Sequence, residues 1–151
     1  MSANPYAAPT ARVADGGVQA APALWNPNAA ASWSLLLSPA FGSYLHLLNW
    51  RALGNADKAA TAKGWFIASV AMLALYIGIA LALPNFDMRY IGFGYLLAWY
   101  FAAAREQAKY VKDTFGNDYP RKGWGKALLI GVAAFVGYVI LAILIGAVFA
   151  L

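Results

Sequence analysis

Two runs, WFIASVAMLALYIGIALAL at 65–83 and ALLIGVAAFVGYVILAILIGAVFAL at 127–151, contain no charged residue. A helix rises 1.5 Å per residue and a bilayer holds about 30 Å of hydrocarbon, so about 20 apolar residues cross it as a helix. Helical form is demanded because lipid offers nothing to hydrogen-bond a bare backbone. Both runs therefore predict spanning helices. Only 11% of the chain is charged and 62% is hydrophobic, against about 25% and 45–50% in soluble domains.

Two further segments extend the pattern. YIGFGYLLAWYFAAA at 90–104 becomes long enough when started at Phe86, with Asp87 and Arg89 at its margin, and predicts a span over 86–104. Pro84-Asn85 ends the helix before it, since proline cannot continue the hydrogen-bond ladder and asparagine favours turns. The earliest segment includes SWSLLLSPAFGSYLHLLNWRALG. Asn26 as N-cap and Pro27 at the first helical position start a helix there. It predicts a span over 27–50 kinked at Pro39, with a re-entrant course as the alternative. The expected fold class is an all-α membrane protein, a bundle of about four transmembrane helices. Residues 1–24, rich in Ala, Pro and Gly without periodicity, read as a disordered N-terminal tail ahead of a helical membrane domain at 25–151.

Charge orients the bundle. Arg51, Lys58 and Lys63 fall in 51–64, and Arg105, Lys109, Lys112, Arg121, Lys122 and Lys126 in 105–126, leaving only Arg12 and Arg89 of the 11 basic residues elsewhere. The positive-inside rule makes both segments cytoplasmic. Four spans then put both termini in the periplasm, whereas a re-entrant first segment keeps the tail inside. Trp50, Trp65, Trp99, Tyr100 and Trp124 fall near predicted cytoplasmic ends, and Trp25, Trp33 and Tyr90 near outer ends, as interfacial aromatics do.

Two stretches carry a resemblance. The start NPYAAP, and SPAFGSYLHLLNWRALG with its PxFG and NWRxLG elements, resemble the N-terminus and first hydrophobic segment of small proteobacterial inner-membrane proteins. They span under a quarter of the chain. The resemblance implies a bacterial inner-membrane location and brings no functional residues with it.

Chemistry is sparse. With no cysteine and one histidine, the chain lacks the ligands for a zinc site and has no thiol nucleophile. Ser32, Ser34, Ser38 and Ser43 have no base at a useful spacing. The clear spans hold no ionisable residue, unlike those of proton-coupled pumps. No enzyme activity, metal or cofactor is expected, and no basic face with stacking aromatics suggests nucleic acid.

Three features remain. His46, Asn49 and Arg51 form a candidate polar patch at the cytoplasmic mouth. Arg121, Lys122, Trp124 and Lys126 form a candidate anchor for anionic lipid or a protein partner, beside their plain role in setting topology. Ala74, Gly78 and Ala82, then Ala133 and Gly137, then Ala142 and Gly146, form small-residue stripes of the kind that pack helices closely. The expected function is a non-enzymatic, partner-binding small subunit or accessory factor of a bacterial envelope complex, or a homo-oligomer. A toxin-immunity membrane protein and a small oligomeric channel or transporter are the alternatives.

Overall fold

The structure, a computed structural model, describes residues 21–149. Among these residues it is all-helical apart from one isolated bridge, between Leu24 and Arg121. The helices are α1 (Pro27–Leu37), α2 (Pro39–Ala52), α3 (Ala56–Ala82), α4 (Arg89–Trp99), α5 (Arg105–Phe115) and α6 (Gly125–Phe149). A π-helical turn, Tyr100–Ala104, joins α4 to α5 without a break. Of these, α3 and α6 are long and apolar enough to cross a membrane.

The expected first span is not one helix. Asn26 does cap α1, accepting from the backbone N–H of Asn28 and Ala29, but the chain breaks at Ser38 and folds back. Proline lacks the N–H that would continue the ladder and drives the residue before it out of the helical region. Ser38 accordingly sits at φ 84° and ψ 156°, a region that side chains rarely adopt. Its strain costs on the order of 1–3 kcal/mol, so Ser38→Gly should raise the unfolding midpoint of the detergent-solubilised protein by relieving about 1 kcal/mol of it.

At 11 and 14 residues, α1 and α2 reach only about 16 and 21 Å. Neither crosses about 30 Å of hydrocarbon. They lie antiparallel: Trp25 bonds Asn49 through the backbone N–H (3.0 Å) and carbonyl (2.8 Å), and Ser34 lies opposite Gly42. The first segment is thus a hairpin of two short helices and not the single kinked helix expected over 27–50, so among the described residues only α3 and α6 are single helices long and apolar enough to cross a membrane. Trp25, expected at the outer end, lies against Asn49 and Gly123 on the side of the basic segments. Residues 1–20 of the expected tail lie outside the described residues, but Leu24 belongs to the folded body. It is fully buried, donates to the Pro120 carbonyl (2.9 Å) and accepts from the Lys122 N–H (2.9 Å).

The hairpin organises the packing. Leu47 and Trp50 of α2 pack on Ala59 and Ala62 of α3, which follows after a short turn capped by Asn55. Ala30 and Leu45 pack on Ala127 of α6. Ala31 packs on Trp99 and Ala104 at the π turn. Each buried cluster therefore contains a hairpin residue. By contrast α3 and α4, reversed at Pro84-Asn85 as expected, meet through side chains: Ser69 Oγ lies 3.0 Å from Tyr95 Oη, and the Trp65 and Tyr95 rings are 5.9 Å apart.

Candidate functional site

The polar centre of the molecule lies at the open end of the hairpin. Helical spacing puts His46 and Asn49 of α2 on one face, turned towards the start of α1 and towards α5. Asn49 is wholly buried and uses both ends of its amide. Its Oδ1 accepts from the Trp25 N–H, while Nδ2 donates to the Trp25 carbonyl and, at 3.1 Å, to Gln107 Oε1. Gln107, equally buried, donates through Nε2 to the His46 carbonyl at 2.8 Å. His46 Nε2 faces the Pro27 carbonyl at 3.4 Å; a carbonyl only accepts, so the proton belongs on Nε2. His46 Nδ1 and Ser43 Oγ are buried without a hydrogen-bond partner among the described residues.

Of the expected patch, His46 and Asn49 come together and Arg51 does not: it is exposed on the far side of the α2 terminus. Gln107 is the member that spacing alone did not single out. A signal existed, because Ala104, Gln107 and Val111 recur at helical spacing and form the buried face leading through α5. Gln107 is the one polar residue in that row. A polar side chain on an otherwise apolar stripe indicates a specific partner, since burying an amide unpaired costs about 1–3 kcal/mol.

Burial holds the imidazole neutral, pushing the His46 pKa from 6.5 to about 4 against the opposing hydrogen bond to the Pro27 carbonyl. His46 lies in α2 of the hairpin, which is too short to cross a membrane. A cavity of about 10 Å³ beside it is lined by Trp50, Thr61, Trp99 and Glu106, room for one water molecule at most. Charging His46 favours the unfolded chain, so its stabilising neutrality is complete above pH 6.5 and is lost as pH falls towards 4. Stability should drop by up to about 1.4 kcal/mol per pH unit across that window, and His46→Gln should flatten the slope measured by denaturation at successive pH values. The arrangement is built for neutral hydrogen bonding at a helix junction. No three His, Asp or Glu side chains gather among the described residues.

The basic cluster is partly engaged within the chain. Lys122 Nζ stands 4.3 Å from the centre of the Trp25 ring, whose Nε1 donates to the Gly123 carbonyl at 3.2 Å. Trp124 packs on the α1–α2–α6 cluster. Arg121 lies over the Tyr119 ring at 5.5 Å, and both Arg121 and Lys126 remain exposed. With the Leu24 bridge, residues 120–123 clasp the start of the hairpin. The Lys58–Glu106 ion pair ties α3 to α5 on the same side, though half-exposed pairs contribute only about 0–1 kcal/mol.

Among the described residues the small-residue stripes do not pack helices together. Ala74, Gly78, Ala82, Ala133 and Gly137 are exposed, and a Cβ placed on Gly78, Gly137 or Gly146 would meet nothing within 4 Å. Ala142 and Gly146 are only half-buried. The glycines used for close approach are Gly42, against Ser34 and Trp99, Gly92, against Tyr76, and Gly131, against Phe41 and Leu37. Comparison with protein-family models, with curated proteins and with solved structures finds no match.

Proposed function

We propose that this is a bacterial inner-membrane protein of three crossings that works by binding a protein partner within the bilayer. The crossings are α3, the run from α4 through the π turn, and α6; the α1–α2 hairpin enters and leaves on the cytoplasmic side. The observation that carries the binding role is the isolation of α6. Only Ala127 and Gly131 of its 25 residues are buried, and beyond Tyr138, which donates to the Leu73 carbonyl at 3.1 Å, its outer half runs with little cover. Small residues at Gly137, Ala142 and Gly146 on such a helix suit close approach by another helix. Binding is favoured over conduction because the polar side chains Ser34, Ser43, His46 and Asn49 of the hairpin are buried inside the fold instead of lining an open path.

A photo-crosslinking residue at Gly137 or Gly146, expressed in the native membrane, should give one adduct of defined mass, and the same residue at Gly131 should give none. Adducts with lipid alone, or ion flux through liposomes holding the pure protein, would overturn the binding role. The crossing number has its own test. Reporters fused near residue 20 and after Leu151 should report opposite sides, cytoplasm and periplasm respectively; two periplasmic signals would restore four crossings.

A further inference from the structure

Beyond the tip of the hairpin, α3 and α6 flank a half-open cavity of about 440 Å³. Phe66, Val70 and Leu73 form one wall, Ile130, Ala134 and Tyr138 the other, and the hairpin tip forms the floor. The Tyr138–Leu73 hydrogen bond closes the far end. The walls lie in the charge-free runs of both helices. One turn of a helix about 10 Å across and 5.4 Å high fills roughly 400 Å³, so the space takes little more than one turn of a helix, whereas a flexible hydrocarbon chain can follow its length.

Charge selects the kind of lipid. On α3, Lys63, Phe66, Val70 and Leu73 share one face at helical spacing; on α6, Lys126, Ile130, Ala134 and Tyr138 form a row of successive fourth residues. Both walls therefore end, one turn towards the basic side, in an exposed lysine. No acidic residue stands in either row. We propose that the cavity binds an anionic phospholipid, one acyl chain lying between α3 and α6 and the phosphate meeting Lys63 and Lys126. This rests on the membrane reading above, not on the protein partner.

The test uses the full chain purified in mild detergent, with phosphatidylglycerol and phosphatidylcholine of identical chains titrated in and bound lipid counted by native mass spectrometry. One phosphatidylglycerol per chain should be retained in preference to phosphatidylcholine. Lys63→Gln with Lys126→Gln should reduce that preference by about fivefold per lysine while leaving chain binding intact. Ala134→Phe, which adds bulk at an exposed wall position, should lose both lipids. Equal retention of the two lipids by the wild-type chain, or unchanged preference in the lysine variant, would overturn the proposal, as would a lipid-free dimer. Should Ala134→Phe fail to fold by circular dichroism, the lysine variant decides alone. Carbonate extraction keeps the two readings separate: a chain that stays in the membrane yet holds no lipid removes only this inference, and a chain released by carbonate removes both.

Discussion

Gly42→Leu should prevent the hairpin from closing. Gly42 lies where α2 crosses α1, and even a methyl-sized Cβ there would lie 2.1 Å from Ser34 Oγ and 2.5 Å from the Trp99 ring. Ser34 Oγ can turn away, although it then gives up its bond to the Ala30 carbonyl at 2.9 Å. Trp99 is 1% exposed and packs on Ala31 and Ala104, so it moves only by disturbing that cluster. Overpacking of this kind costs about 1–3 kcal/mol for small additions and more for large ones. Gly42→Ala should thus lower stability by about 2 kcal/mol, and Gly42→Leu should remove the folded species from size-exclusion profiles. A double variant, Gly42→Ala with Trp99→Leu, should lose less than the sum of the two single changes, because the second opens the space that the first requires. Strict additivity, or a Gly42→Leu protein with an unchanged midpoint, would show that the two short helices do not pack as described.

Asn49→Leu should cost about 3–5 kcal/mol and free the N-terminal segment. The substitution removes partners from the Trp25 N–H, the Trp25 carbonyl and Gln107 Oε1 together, and each buried group left unpaired costs about 1–3 kcal/mol. Limited proteolysis should then cut between residues 21 and 26, and the wild-type chain should resist there. Gln107→Leu added to Asn49→Leu should recover part of the stability, since an apolar pair in place of a hydrogen-bonded pair is nearly neutral. It should not restore protease resistance, because Trp25 remains unpaired. If the single variant is as resistant as wild type, the bridge between Leu24 and Arg121 holds the segment unaided.

Particular residues show what was legible beforehand. Asn26 and Pro27 were readable as a helix start because capping is local chemistry, complete within three residues. Pro84-Asn85 was readable as a reversal for the same reason. Pro39 was legible as a disturbance, with a kink preferred and a re-entrant course left as the alternative. A proline in a membrane helix gives a kink when neighbours supply the missing bonds, and a break when the two halves find better contacts with each other. Ala30 against Leu45, Ser34 against Gly42 and Trp25 against Asn49 are such contacts, and none is visible to a local pattern. The stripes at Ala74–Gly78–Ala82 and Ala133–Gly137 carried the opposite lesson: their spacing marks a surface fit for packing, and the fold leaves them turned outward. In the candidate site, His46 and Asn49 were legible as polar residues in an apolar segment. Gln107 was hidden because 58 residues separate it from Asn49.

The sequence by itself determined that the described chain is helical and that two helices are apolar enough for a bilayer. Both follow from the number of uncharged residues in a row, and a backbone in hydrocarbon has no alternative to bonding with itself. Only the tertiary structure decided that the first segment turns back, that its two ends lie together beside the basic loops, and that α6 stands largely apart. Those outcomes depend on which side chains meet across long stretches of chain. A bond such as Asn49 to Trp25 stabilises the fold only once both helices are in place, so no segment carries its signature alone.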